Sequence, residues 1–133
     1  MAQQTALVTG ASAGIGAELA KLCAADGFNL VLVARDAERL AVLAGDLARA
    51  HNIQARVLAA DLADPVAPAQ IFEQLQSTPI DILINNAGFG LRGAFAETDW
   101  AAEARLIEVN MTAPAHLTKL FLPACCNASG AAS

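Results

Sequence analysis

The stretch that decides the fold lies near the start of the chain and is Thr9-Gly10-Ala11-Ser12-Ala13-Gly14-Ile15-Gly16. It follows a short apolar run at residues 6–8 and precedes a segment whose apolar residues recur at helical spacing. Glycine lets a backbone turn tightly, approach a phosphate without a Cβ in the way, and bring a helix close to a sheet. The glycines therefore predict a turn from a first strand into a first helix, whose unpaired N–H groups suit a pyrophosphate. The alternative is a set of turn glycines that binds nothing, since their GxxxGxG spacing differs from the GxGxxG of most dinucleotide sites.

Strand-like and helix-like segments alternate along the rest of the chain. Apolar runs predict further strands at residues 30–34, 55–59 and 82–84, and helical periodicity predicts helices that begin near positions 14, 36, 64 and 98. The run at 30–34 shows no polar alternation, which is typical of a strand covered on both faces. This β-α-β-α-β-α-β-α order predicts an α/β protein with a doubly wound, Rossmann-type parallel sheet of about four strands, incomplete as it stands.

The helical stripes predict which residues face the sheet. The predicted inward residues of the first helix are Ile15, Leu19, Leu22 and Cys23. Those of the last helix are Leu106, Val109, Ala113, Leu117 and Leu120.

Composition and charge narrow the classes of function. The chain has 133 residues, 56% of them hydrophobic and 16% charged, which favours one packed globular domain. A net charge of -5 with scattered basic residues argues against a nucleic-acid partner. No apolar run is long enough to span a membrane, and the opening residues have no secretion-leader pattern. Cys23, Cys125 and Cys126 fit neither a disulfide framework nor a metal site, so we expect a cytoplasmic protein without a metal.

The TGxxxGIG form of residues 9–16 resembles the short-chain dehydrogenase/reductase family. Asn86-Ala87-Gly88, after the fourth predicted strand, is similar to the family's NAG motif, and Asp61 is similar to its adenine-holding aspartate. Asn110 matches the asparagine of the family's Asn-Ser-Tyr-Lys catalytic set. The resemblance runs from about residue 5 to residue 124, and implies strand order 3-2-1-4 and hydride transfer between NAD(P)(H) and an alcohol or carbonyl substrate. The cofactor-binding residues that it implies are Gly10, Ser12, Gly14, Ile15, Gly16, Asp61, Leu62, Asn86, Ala87 and Gly88.

The end of the second predicted strand bears on the choice of cofactor. An NAD site usually has a carboxylate there for the ribose hydroxyls, whereas an NADP site has an arginine for the 2′-phosphate. The sequence here is Val33-Ala34-Arg35-Asp36, so an alanine occupies the acidic position. We expect Asp36 to cap the next helix, which leaves Arg35 available as a cofactor-binding residue and favours NADP over NAD. The alternative is that Arg35 is only a solvated loop charge.

Asn110 lies on the apolar stripe of the last helix, so its side chain is expected to point inward. Pro114 follows four residues later and has no N–H to donate to the Asn110 carbonyl, which predicts a local kink. In the family, this asparagine holds a water through its backbone carbonyl in a proton relay. The alternative is a polar residue satisfied within a kinked helix.

The family's catalytic serine, tyrosine and lysine have no counterpart here. The chain contains no tyrosine, and its lysines, Lys21 and Lys119, lie in predicted helices. Residues 1–124 are therefore interpreted as a partial NAD(P)-binding domain. Residues 125–133 are interpreted as a non-family tail, with a frameshift as the hypothesis, because one permitted set of codons encodes the family's continuation in another frame.

Two interpretations remain open. One is an NADP(H)-dependent oxidoreductase whose full-length relatives act on small alcohols or carbonyls and can form homo-oligomers. The other is a non-catalytic nucleotide-binding fragment, inactive alone and with an exposed apolar edge at its fourth strand.

Overall fold

A computed structural model describes residues 3–11, 14–86 and 99–129, with residues 123–129 as backbone alone. The four strands form one parallel sheet in the order β3-β2-β1-β4, which confirms the predicted fold class and strand order. The elements in chain order are β1 (Thr5–Thr9), α1 (Gly14–Ala25), β2 (Asn29–Ala34), α2 (Ala37–His51), β3 (Ala55–Ala59), α3 (Ala67–Gln74), β4 (Ile82–Ile84), α4 (Trp100–Ile107), a π-helical segment (Glu108–Thr112) and α5 (Ala113–Ser129).

The core lies in two layers, one on each face of the sheet. Side chains alternate between the faces of a strand, so Leu7 of β1 points to one layer and Val8 to the other. The first layer joins the sheet to α3, the π segment and α5, and the second joins it to α1 and α2. The four central residues of β2 are buried, as its uninterrupted apolar run predicted.

Helix α1 meets the sheet through a face that is shifted from the predicted stripe, although Cys23 of that stripe is half-buried and packs against the core. Ile15 and Leu22 are 72% and 63% exposed, so their inward placement was wrong. The buried positions are Gly16, Ala20 and Ala24, which are spaced four residues apart. Small side chains let this helix approach the sheet more closely than leucine would allow. Helical periodicity detected the helix, but apolar bulk pointed to the wrong face.

The starts of α2 and α3 differ in how well the sequence predicted them. Asp36 caps α2, because its Oδ1 accepts from the Arg39 N–H at 3.1 Å, which confirms that prediction. Helix α3 begins at Ala67, later than the predicted start at Asp64. Asp64 instead accepts from the Val66 N–H at 3.1 Å and closes the turn before the helix.

The last helix is interrupted by the π-helical segment. Val109, Ala113 and Leu117 are buried, as predicted for its inward stripe. Helix α5 continues to Ser129, beyond the boundary proposed at residue 124, and that boundary stays a prediction. Within the described ranges, no helix is both long and apolar enough to cross a membrane.

Candidate functional site

Polar and glycine residues gather where the parallel strands end. Gly10 follows β1, Arg35 follows β2, Asp61 lies just beyond β3, and Asn86 lies just beyond β4. The carboxyl ends of parallel strands share one edge of a sheet, and ligands of open α/β sheets bind outside that edge. These four residues therefore mark the candidate site.

The glycine turn has a backbone that only glycine adopts readily. Gly10 and Gly14 have φ angles of 65° and 63°, in the left-handed region. The Gly10 N–H donates to the Val33 carbonyl at 2.8 Å, which ties the turn to β2. Ser12, between the two glycines, lies outside the described residues.

Gly16 is needed for a different reason, because Gly10 and Asn86 approach its Cα closely. A Cβ built on it would overlap the carbonyl oxygen of Gly10 and stand 2.5 Å from Asn86 Nδ2. Asn86 Nδ2 in turn donates to that same carbonyl at 3.3 Å. The glycine turn and the asparagine motif are therefore packed against each other.

Thr9 is a further link between the motifs that the sequence did not single out. It is 1% exposed, and its Oγ1 accepts from the Asn86 N–H at 2.9 Å. The same hydroxyl donates to the Ile84 carbonyl at 3.4 Å. A hydroxyl that both donates and accepts can bridge the ends of β1 and β4, where valine could not.

Asp61 is held by a residue that sequence reasoning missed. Arg105, on α4, donates through Nη2 to both Oδ1 and Oδ2 of Asp61 at 3.0 Å. The Ala63 N–H donates to Oδ1, also at 3.0 Å. The two residues are 44 positions apart, and nothing in the local pattern of either one indicates the pair.

The charges around Asp61 determine its ionisation. Partial burial would raise its pKa, but the Ala63 hydrogen bond, the Arg105 hydrogen bond and charge, and the charge of Arg35 together lower it. The carboxylate is therefore ionised at neutral pH. Because Arg35 acts on it through its charge, Arg35 belongs to the same electrostatic cluster.

The remaining predicted cofactor-binding residues differ in how accessible they are to a ligand. Ile15 is exposed at the first turn of α1, where a ligand could contact it. The Leu62 side chain is 5% exposed and packs in the core, so only its backbone can face a ligand. Ala87 and Gly88 lie outside the described residues.

Asn110 corrects one expectation and supports another. Its side chain is exposed, so the inward orientation was wrong. The helix is disturbed where Pro114 predicted it, but as a π turn in which the Ala113 N–H donates to the Glu108 carbonyl. A π turn accommodates a proline that cannot donate to the Asn110 carbonyl, and such turns are frequent at functional sites.

The described residues at this edge of the sheet have features that suit an anionic ligand. They offer a glycine turn, a helix start, an exposed arginine and an oriented carboxylate. Within residues 3–11, 14–86 and 99–129, no group of three or more His, Cys, Asp or Glu residues could hold a metal ion.

Comparisons with known proteins agree with this geometry. A family model described as short chain dehydrogenase matches residues 4–132. Dehydrogenase/reductase SDR family member 7B of Bos taurus is 40% identical over 125 residues, which cover 89% of this chain and 38% of that protein.

Solved structures give the same result. The bulky-bulky ketone specific alcohol dehydrogenase from Comamonas testosteroni matches with a TM-score of 0.87 and 42% identity, covering 92% of this chain and 50% of that one. A short-chain dehydrogenase from Sphingobium yanoikuyae in complex with NADPH matches with a TM-score of 0.88 and 40% identity, covering 94% and 49%. The chain thus spans about half of these solved chains and 38% of the Bos taurus relative. It belongs to the short-chain dehydrogenase/reductase family.

Proposed function

We propose that this chain binds NADP(H) as the cofactor-binding part of an oxidoreductase that transfers hydride between NADP(H) and an alcohol or carbonyl substrate. The observation that carries the proposal is the close packing of Gly16 on Gly10 and Asn86 at the carboxyl edge of the sheet. That packing leaves no room for a side chain and brings a helix start to the strand ends. A pyrophosphate is the ligand that such an edge suits best.

The preference for NADP over NAD rests on the end of β2. Ala34 supplies no carboxylate for the ribose hydroxyls, and Asp36 is engaged as the cap of α2. Arg35 is exposed beside the edge and is available for a 2′-phosphate. The Sphingobium yanoikuyae relative in complex with NADPH supports this choice.

The catalytic roles follow from the family and are part of the proposal. Asn110, in the π segment, is the member of the catalytic set present in this chain. The chain contains no tyrosine, and a phenol is the proton donor of this chemistry. This absence favours a second candidate function for the 133-residue chain by itself, which is cofactor binding without turnover.

The setting of the protein is also proposed. We infer that it works in the cytoplasm, since its three cysteines fit no disulfide framework and so suit a reducing compartment. Its partners are the dinucleotide and, in the full-length form, a small alcohol or carbonyl substrate and further copies of the same protein.

Calorimetric titration of the 133-residue chain with NADPH and NADH tests the cofactor proposal. We expect tighter binding of NADPH, and we expect Arg35→Ala to remove most of that preference, roughly tenfold for one charged contact. The control is Arg49→Ala, because Arg49 pairs with Asp46 on α2. Tighter binding of NADH, unchanged by Arg35→Ala, would overturn the NADP assignment.

A turnover assay separates the two candidate functions. NADPH is mixed with the purified chain and a panel of aldehydes and ketones, and its absorbance is followed. Binding without oxidation of NADPH is the expected result for this chain. Steady turnover would refute the non-catalytic candidate and show that another group replaces the missing phenol.

A further inference from the structure

The ion pair between Asp61 and Arg105 joins two parts of the site that are distant in sequence. Asp61 lies beyond the end of β3, and Arg105 lies on α4, which leads into the π segment carrying Asn110. Their side chains are 41% and 37% exposed, so the pair faces the open edge of the site rather than the core. A pair in this position can contact or orient a ligand, in addition to stabilising the fold.

The geometry of the pair fixes the direction of the carboxylate. Arg105 Nη2 lies 3.0 Å from each carboxylate oxygen, and the Ala63 N–H occupies a second acceptor position on Oδ1. An ionised carboxylate has about four acceptor positions in total. Oδ2 accepts from Arg105 alone among the described residues, so it keeps an acceptor position for a ligand.

We propose that Arg105 is a positioning residue for cofactor recognition, which turns Asp61 Oδ2 toward the 6-amino group of the adenine ring. The inference rests on the proposed function, because it requires that an adenine dinucleotide binds at this edge. Arg105 does not touch the cofactor; it acts through Asp61. One guanidinium nitrogen, Nη2, lies 3.0 Å from both carboxylate oxygens, so this charge-assisted contact restrains the carboxylate at two points.

The test compares NADPH with its hypoxanthine analogue, in which a carbonyl replaces the 6-amino group. A hydrogen bond to a charged acceptor is expected to make the wild-type chain bind NADPH about tenfold more tightly than the analogue. In Arg105→Met this ratio should fall toward one, and Arg105→Lys should keep part of it. Arg49→Met removes an exposed ion pair on α2 and should leave the ratio unchanged.

The ratio separates positioning from a merely structural role, because a general loss of stability weakens both ligands alike. Equal wild-type affinity for the two ligands, or an unchanged ratio in Arg105→Met, would overturn the inference alone. Failure of the wild-type chain to bind NADPH would overturn the proposed function and the inference with it. Arg105→Lys keeps the positive charge and provides the same test should Arg105→Met fold poorly.

Discussion

Replacing Gly16 by alanine tests whether close approach of α1 to the sheet builds the site. The added Cβ would overlap the Gly10 carbonyl oxygen and stand 2.8 Å from the Gly10 carbonyl carbon. These are backbone atoms, so no side-chain rotation relieves the overlap. Helix α1 must therefore move away from the turn.

Three contributions determine the expected change in the free energy of unfolding, one of them stabilising and two destabilising. Alanine favours a helix over glycine by about 1 kcal/mol. Overpacking a well-packed site costs about 1–3 kcal/mol. Moving the helix also weakens the bond from Asn86 Nδ2 to the Gly10 carbonyl, at about 1 kcal/mol. The net expectation for Gly16→Ala is a loss of about 1–3 kcal/mol in the free energy of unfolding.

The assay is urea unfolding followed by circular dichroism, with NADPH affinity measured by calorimetry on the same samples. The matched control is Gly45→Ala in α2, where an added Cβ would meet only Arg49 Nη1 at 3.4 Å. That atom ends a flexible side chain, so we expect the control to gain up to about 1 kcal/mol from helix propensity. Gly16→Ala should lose NADPH binding, and Gly45→Ala should retain it.

Comparison of Gly16→Ala with Gly45→Ala shows which results would refute the close-packing argument. Should Gly16→Ala unfold at the same or higher urea concentration than the wild type and bind NADPH equally well, the close-packing argument would be wrong. Equal stabilisation by both substitutions would show that helix propensity outweighs contact with the turn.

Two further predictions concern the strand ends. Thr9→Val leaves the Asn86 N–H without its hydroxyl acceptor and should lower the free energy of unfolding in urea by about 1–3 kcal/mol. The control is Thr118→Val, at a less buried hydroxyl, which should cost about 1 kcal/mol or less. Equal losses in the two variants would contradict this prediction. The lowered pKa of Asp61 means that its stabilising effect is present above its unfolded pKa, about 3.9, and is lost as the pH falls through the folded value. A carbon-13 NMR titration should show a carboxyl pKa below that value in the wild type and a higher one in Arg105→Met; a wild-type pKa at or above 3.9 would refute it.

The strands were predictable because their signals are local. An uninterrupted apolar run of suitable length indicates a buried strand, and β3 and β4 lie where such runs predicted. The sheet order did not come from any run. It required the family resemblance, because pairing of β1 with β4 joins residues more than seventy positions apart.

The site was only partly predictable, because local patterns indicate some of its residues and long-range contacts bring in the others. Glycine spacing marks a turn locally, so Gly10, Gly14 and Gly16 could be identified from the sequence. Arg105 could not, because one arginine on a helix resembles any solvated charge until the fold brings it to Asp61. The face of α1 was misjudged because close approach selects small residues where periodicity favours large ones.

The strand order explains why two motifs so far apart form one site. With the order β3-β2-β1-β4, the chain leaves β1 toward β2 on one side and returns to place β4 on the other. The strand order therefore reverses beside β1, and in open α/β sheets such a switch point, here between the ends of β1 and β4, is where the ligand crevice lies. Thr9 and Asn86 stand at those two ends and bond to each other, so they fix the spacing of the crevice. The family motifs lie at these positions because the topology leaves this opening at the sheet edge, and a substitution that separates β1 from β4 should affect cofactor binding before it unfolds the sheet.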